Sequence, residues 1–459
     1  MIKIKFCGGV AGSVTGACYL IETKSTKVIV DCGMFQGSKF SEFSNSDPFA
    51  FNPSEVEAMI LTHAHIDHCG RVPKLVRDGF KGKIYGTSPT LDFAHTLLND
   101  SEHVIKEEAR REGLQPFYTI KDVEKAFEMA APKNYDEEVV VSSDVRFFLR
   151  NAGHILGSSI IELFVKNGSD KEIKIVFSGD LGNYPAPVIG ETRFIDDADY
   201  ILIESAYGDR FHEDNKKRKD LLEDVIEETV NKGGTLMIPA FATERTQELL
   251  YEMNELVEHG RIARMPIFLD SPLAIKITDI YKRHEDYFDK KTQHLIASGD
   301  DVFNFPGLKF TPSVEESKAI GRHEGPKIII AGSGMSNGGR IIYHEAKYLS
   351  DPRNTLLIIG FQVKGSLGRK LLDGEKEVRI LGQNIQVKAK VVHIGGYSAH
   401  ADQKQIIEWL SPMRHTAKKV FVVQGEHTAA EALIQRIKDE LAMDAQMPDM
   451  NQEVFLEEK

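Results

Sequence analysis

Leu61-Thr62-His63-Ala64-His65-Ile66-Asp67-His68-Cys69-Gly70 decides how this chain is read. Four groups able to hold a metal, His63, His65, Asp67 and His68, crowd into this one stretch. The run before them, Ala58-Met59-Ile60-Leu61, is short and apolar, the pattern of a buried strand. Behind them, Val72 to Val76 begins a helical pattern that closes near Gly79. The four groups therefore belong on a turn at the carboxyl end of a strand, where irregular backbone can aim several side chains at one point. Neutral imidazoles with a carboxylate suit Zn²⁺, with Mn²⁺ or Fe²⁺ as competitors. Cys69 could ligate as well, but its neighbours already supply enough donors.

Upstream, residues 2–6, 17–23 and 27–31 read as strands, with Lys24-Ser25-Thr26 as a hairpin turn. Asp31 ends the third of them, just before Cys32-Gly33, where a carboxylate could orient a ligand histidine from behind. Downstream, 88–112 and 121–130 look helical, and 145–151, 158–166 and 172–178 look like strands. Two more ligand candidates fall in this half. His154 lies between two strands in Ala152-Gly153-His154-Ile155-Leu156-Gly157, and Asp180 follows a strand in Ser178-Gly179-Asp180. The glycines beside both permit close backbone approach.

The chain has 459 residues, too many for one ordinary domain. Hydrophobic residues make up 41% and charged residues 27%, as in globular proteins, and no run approaches the roughly 18 apolar residues of a membrane span. The start, Met1-Ile2-Lys3-Ile4-Lys5-Phe6, alternates like a strand and lacks the apolar core of a signal peptide. Cys7, Cys18 and Cys32 join Cys69 in a scattered set without a CxxC pair, which points to a reducing cytoplasm. A net charge of −12 and a pI near 5.8 argue against a whole-surface nucleic-acid binder but allow a local basic cleft. Lys216-Lys217-Arg218-Lys219 and Lys290-Lys291 are candidates for it, though such runs are more often solvated helix faces.

Past Tyr200–Glu204, a strand ending in an acid, a second pattern begins. Strands are expected at 235–239, 266–270, 327–331 and 355–359, alternating with helices at 243–259, 273–287 and 340–349. Such alternation implies a second α/β domain with a largely parallel sheet. After about residue 383 the first domain is expected to resume, with strands at 388–394 and 419–423 and helices at 403–410 and 428–441. The last helix is amphipathic through Ala430, Leu433, Ile434, Ile437 and Leu441, and the acidic tail 442–459 reads as loosely attached.

Asp31, His63-x-His65-x-Asp67-His68, His154 and Asp180, in this order, resemble the metallo-β-lactamase superfamily. The later stretch Ile238-Pro239-Ala240-Phe241-Ala242 with Arg245-Thr246-Gln247-Glu248 resembles the β-CASP domain of RNA-processing nucleases. So do Leu269-Asp270-Ser271-Pro272, Gly332-Ser333-Gly334-Met335 with Gly338-Gly339-Arg340, and Gly368-Arg369-Lys370. The resemblance is to the bacterial and archaeal relatives of the cleavage-and-polyadenylation endonuclease. It implies an α/β fold: a four-layer αβ/βα sandwich over 1–207 and 384–459, with a β-CASP domain inserted at 208–383 and a cleft between the two leading to the metals.

The same resemblance implies two Zn²⁺ ions, with Mn²⁺ as an alternative. His63, His65 and His154 would hold one, Asp67 and His68 the other, and Asp180 would bridge. It implies RNA as the partner, cleaved to 5′-phosphate and 3′-hydroxyl ends in the cytoplasm, no membrane, and a homodimer as an open expectation. His400, in Ser398-Ala399-His400-Ala401-Asp402, matches the general acid, Glu204 the carboxylate that orients it, and Asp67 joins them in catalysis. Ser333, Gly334 and Ser398 are expected to contact substrate. One position departs from the pattern. The family's last metal-binding histidine is replaced by Gln424 in Val423-Gln424-Gly425-Glu426-His427. An amide is a poor zinc ligand, so either His427 substitutes by a shift of the loop, with Gln424 behind the ligands, or the second metal is held by fewer protein ligands and more water. A DNA nuclease of the same superfamily, a small-molecule hydrolase and a weakly catalytic binding subunit are the competing readings.

Overall fold

The computed structural model describes residues 2–37, 44–168, 171–212, 217–360, 362–363 and 365–457. Contacts divide it into two compact units: Met1–Ala186, Gly190–Phe211 and His400–Lys459 form one, and Pro187–Ile189 with His212–Ala399 the other.

The first unit is built on two seven-stranded sheets. One runs in the order Glu453–Leu456, Ile2–Gly8, Cys18–Glu22, Lys27–Val30, Ala58–Ile60, Lys83–Gly86, Ala130–Pro132. The other runs Ala445–Gln446, Lys419–Val423, Tyr200–Glu204, Glu172–Phe177, Ser159–Lys166, Val145–Asn151, Val139–Val140. Their facing sides share a core of Phe6, Tyr19, Phe147, Phe177 and Phe421. The strand Tyr200–Glu204 shows why its sequence is apolar at every position before the acid. Tyr200 and Leu202 enter the core between the sheets, and Ile201 and Ile203 enter a second core on the outer face. Helices Gln403–Leu410 and His427–Leu441 close that outer core with Ile406, Trp409, Leu410, Leu433 and Ile437. Ser88–Glu112 and its neighbours supply the other helical layer, burying Leu91, Phe93, Ala94 and Leu98. Helix, sheet, sheet, helix is the four-layer αβ/βα sandwich.

Parallel pairing sets the functional edge. Lys27–Val30 runs parallel to Ala58–Ile60, and Glu172–Phe177, Tyr200–Glu204 and Lys419–Val423 run parallel to one another. Parallel neighbours end on the same side of a sheet. Asp31, His63, Asp180, Glu204 and Gln424 therefore all emerge at carboxyl ends, where loops are free to converge.

Two expectations are corrected here. The tail is not loose: Glu453–Leu456 adds to the edge strand Ile2–Gly8 in antiparallel register, with Leu456 buried in the core and Glu453 paired to Lys3 and Lys5. An exposed strand edge offers a row of unpaired backbone groups, and this segment supplies them with partners. The first unit also resumes later than 384. Lys390–His393 pairs in parallel with Thr355–Ile358 and so stays with the second unit, and the chain re-enters the first at His400.

The second unit carries a six-stranded sheet in the order Leu308–Phe310, Ile267–Leu269, Lys327–Ala331, Thr235–Pro239, Thr355–Ile358, Lys390–His393, parallel at every described pair. Three cations of its basic runs are paired with carboxylates. Arg218 is buried and donates to Glu252 and Glu248, Lys219 pairs with Glu255, and so does Lys291. Lys216 lies outside the described residues. Among the described residues no helix is long and apolar enough to cross a membrane.

At the end of Ile267–Leu269, Asp270 is fully buried and ties three segments together. Its oxygens accept from Arg340 at 2.7 Å, Thr311 at 2.9 Å, Ser317 at 2.6 Å and His344 at 2.7 Å. Against the cost of burial, these donors hold its pKa at about 2. Asp270→Ala is expected to cost the second unit about 3 kcal/mol, the lower end for breaking a buried ion pair, because Arg340 keeps some contact with water. Urea unfolding followed by circular dichroism would measure it, and a loss below about 1 kcal/mol would show that the network is not needed.

Candidate metal centre

The loop that carries the histidines is shaped by contacts to the strand ends around it. Asp31 adopts a left-handed backbone conformation (φ 58°), which Asp tolerates better than most residues. This turns its carboxylate onto the next strand's exit. One oxygen accepts from the Thr62 backbone N–H at 2.8 Å, and the other accepts from the Thr62 hydroxyl and lies 2.8 Å from His68 Nδ1. Gly33 is obligatory: a Cβ there would lie 1.5 Å from the Asp67 carbonyl oxygen. His65 stands at the head of the short helix Ile66–Cys69, which presents Asp67 and His68.

Four side chains converge. His65 Nδ1 is 3.1 Å from both His63 Nε2 and His154 Nε2, and Asp180 Oδ2 is 3.4 Å from the first of these and 3.5 Å from the second. All four ligand atoms lie within 4.8 Å of one another. Burial, followed by the charge of neighbouring imidazoles, pushes His63, His65 and His154 below the usual histidine range. Neutral rings so close bring lone pairs together, and His65 Nδ1 can share a proton with only one of its two neighbours. A cation relieves this repulsion. A tetrahedron with bonds of about 2.0–2.1 Å has edges of about 3.3–3.4 Å, which the observed spacings match, so the residues present fit a zinc-like ion. Asp180 is held well below the usual carboxylate range by His68 and His63 despite its burial, and stays anionic.

His68 and Asp67 sit beside this set. His68 Nε2 is 3.2 Å from Asp180 Oδ1 and 4.0 Å from Asp67 Oδ2. Burial opposes its charge, but Asp180 and Asp31 hold the imidazole well above its usual range. Burial raises Asp67.

His400 and Glu204 form the second group. Glu204 ends its strand fully buried and accepts from the Leu181 backbone N–H. His400 Nδ1 lies 3.0 Å from Glu204 Oε2 and 3.8 Å from Asp180 Oδ2, and its ring centre is 4.7 Å from that of His154. Against burial, the Glu204 charge and hydrogen bond hold His400 at about 9, so the pair's shared proton rests on the imidazole at neutral pH.

The remaining candidates divide. Gln424 is buried in the centre, its Nε2 2.7 Å from His68 Nε2 and 3.2 Å from Asp180 Oδ1. His427 is not brought in, which corrects the expected loop shift. It begins the final helix, is 61% exposed, and pairs with Glu431 one turn on at 3.4 Å. In the second unit, the Ser333 N–H and hydroxyl both face the Gly338 carbonyl, and Gly334 is packed so close to Phe241 that a Cβ would lie 2.6 Å from the ring. That loop closes on itself. Ser398 is half-buried in the turn before His400. Cys69 donates to the Ala64 carbonyl and is not a ligand. The sequence reading missed two residues. Thr62 bridges Asp31 to the imidazoles of His63 and His68, at 3.1 and 3.2 Å. Its signal was a hydroxyl at a buried strand end, which must find a partner. Tyr19, whose hydroxyl donates to Gln424 Oε1 at 3.3 Å, gave no signal.

Known proteins match this chain along most of its length. A model of the metallo-beta-lactamase superfamily covers residues 11–227, one of the Beta-Casp domain covers 246–371, and one of the Zn-dependent metallo-hydrolase RNA specificity domain covers 384–448. Ribonuclease TTHA0252 of Thermus thermophilus is 38% identical over 93% of this chain and 94% of its own. The transcription termination factor FttA of Methanocaldococcus jannaschii is 31% identical over 93% of this chain and 67% of its own. A crystal structure of a protein of unknown function from Enterococcus faecalis V583 superposes with a TM-score of 0.58 over 99% of this chain and 100% of that one, at 11% identity, a likeness of fold alone.

Proposed function

The chain belongs to the β-CASP family of the metallo-β-lactamase superfamily, and from that premise we propose that it hydrolyses RNA phosphodiester bonds with a divalent metal ion, in RNA processing or decay. The observation that carries the reading is a proton donor set against a metal-type cluster: His400 on Glu204, beside His154 and Asp180. His63, His65, His154 and Asp180 would hold the ion, and their imidazole-rich set favours Zn²⁺, with Mn²⁺ as the alternative. When bound, it supplies Lewis acidity toward a phosphoryl oxygen and acidifies water. For a second ion the set is Asp67, His68 and Asp180, with an amide, Gln424, beside them.

The chain's own residues would do the rest. Asp31 fixes the His68 ring through Nδ1, and Thr62 fixes Asp31. Asp67, at the rim of the cluster and 22% exposed, would orient the attacking water. The departing 3′-oxygen needs a proton, and His400 would give it, its imidazolium stabilised by Glu204 until the transfer. The products would carry 5′-phosphate and 3′-hydroxyl ends. Four free, buried thiols suit a reducing compartment such as the cytoplasm.

RNA is favoured over DNA or a small molecule by the match to an RNA specificity domain and by a relative named as a ribonuclease. Labelled RNA, labelled DNA and a chromogenic β-lactam, each incubated with and without chelator, would test this. RNA is expected to be cut fastest, chelation is expected to stop cleavage, and added Zn²⁺ or Mn²⁺ to restore it. Turnover of the β-lactam alone, or RNA cleavage that chelation leaves unchanged, would overturn the reading.

A further inference from the structure

We propose that this protein keeps one zinc ion rather than two, because Gln424 occupies the coordination direction through which His68 would hold the second. The inference rests on the metal-dependent hydrolase reading above. Gln424 follows the strand Lys419–Val423 in a left-handed conformation (φ 52°), its N–H donating to the Gly9 carbonyl at 2.7 Å. That backbone turn aims the side chain back into the cluster, where it is 4% exposed. Its three polar contacts are with Tyr19, His68 and Asp180, and the last two are themselves 3.2 Å apart.

An imidazole nitrogen meets a partner along one in-plane direction. For His68, Nδ1 is committed to Asp31 at 2.8 Å, which leaves only Nε2 to face an ion. Gln424 Nε2 lies 2.7 Å from that nitrogen, closer than Asp180 Oδ1 at 3.2 Å. In the neutral ring, Nε2 accepts from the amide N–H; in the charged ring, Nε2–H donates to the amide oxygen turned over. Either polarity engages the same nitrogen. Asp180 Oδ1, the other atom a second ion would need, takes the amide as well, while Asp180 Oδ2 faces the histidine cluster. Of the second set this leaves Asp67, whose Oδ2 is 4.0 Å from His68 Nε2.

Gln424 thus acts as a positioning residue. It sets Asp180 and His68 as a second cation would, but with hydrogen bonds in place of charge. Rotating the amide away would break contacts with three partners. Turning it over would offer a neutral oxygen, a ligand suited to hard cations and poor for zinc. The first cluster keeps its donors, since the amide's partners are Tyr19, His68 and Asp180 Oδ1, while Asp180 Oδ2 faces the histidines.

The test is a metal count on the full chain, loaded with excess Zn²⁺, passed through zinc-free buffer and measured by elemental analysis. Wild type is expected to retain one equivalent and Gln424→His two, the new imidazole supplying a ligand where the amide had been a plug. Two equivalents in wild type would overturn the proposal whatever the variant does. One equivalent in both, with the variant shown folded by circular dichroism, would overturn the role given to residue 424. Should Gln424→His not fold, Gln424→Glu serves instead: its carboxylate is a zinc ligand, and it too is expected to add an equivalent. RNA cleavage by wild type is scored separately. One zinc with no ribonuclease activity leaves this inference standing and removes the functional reading; two zincs with activity does the reverse.

Discussion

Alanine in place of His65 is expected to strip the metal from the cluster and slow RNA hydrolysis by about 10³-fold or more, with the fold intact. His65 Nδ1 lies 3.1 Å from both His63 Nε2 and His154 Nε2. Removing it leaves three donors and an open side. A Lewis acid at a phosphoryl oxygen is worth several kcal/mol in the transition state, and each 1.4 kcal/mol is about tenfold in rate. The fold is expected to survive for a local reason. His65 heads the helix Ile66–Cys69 through its backbone and makes no side-chain cap, so the imidazole is not what starts the helix. Loss of three converging neutral rings' mutual repulsion also offsets the lost packing in the metal-free state. Elemental analysis, an RNA cleavage time course and circular dichroism on the same preparation check the three parts. A folded variant that keeps its zinc, or cleaves within tenfold of wild type in zinc-replete buffer, would show that the assigned cluster is not the metal centre.

That cluster was legible in the sequence because its geometry is mostly local. Strand ends are marked by apolar runs that stop at a polar residue, and Asp31, His63, Asp180 and Glu204 each follow such a run. Parallel pairing then brings those ends to one edge without further information. The alternation of the inserted segment was legible for the same reason, since strands and helices there have unlike periods. What the sequence could not give was how side chains finish. Gln424 and His427 are three residues apart, and spacing alone cannot say which points inward. The answer lies in a left-handed turn at Gln424 and a helix that starts at His427, both set by packing against Gly9 and Ser205. The basic run at Arg218 misled because charge in a sequence carries no sign of its partners. Its carboxylates, Glu248 and Glu252, lie about thirty residues on and reach it only across two packed helices. The tail misled because an edge strand can be recognised only once the edge it covers is known.

His400→Ala is expected to slow RNA cleavage by about 10²–10⁴-fold, the usual contribution of a positioned proton donor, while zinc content stays as in wild type. The two halves of this expectation separate an acid from a ligand. His400 touches the cluster only at its margin, Nδ1 3.8 Å from Asp180 Oδ2, and its nearer partner is Glu204 at 3.0 Å. Its removal therefore takes away a proton and leaves the four donors. The pH profile adds a sign. The reactive form is the imidazolium, so activity is present below the His400 pKa and is lost as pH rises through it. With Glu204 as partner and no cation nearby that pKa is about 9. A bound cation pushes it down, so the alkaline limb of the wild-type profile is expected at or below about 9, and the variant is expected to lack it. Glu204→Gln, which keeps a hydrogen-bond acceptor but removes the charge, is expected to move the limb to lower pH. A substrate whose 3′-oxygen is replaced by sulfur leaves without needing a proton, and on it the variant should recover most of the lost rate. No recovery on that substrate, or the loss of an equivalent of zinc, would move His400 out of the role of acid and into that of a ligand or a structural group.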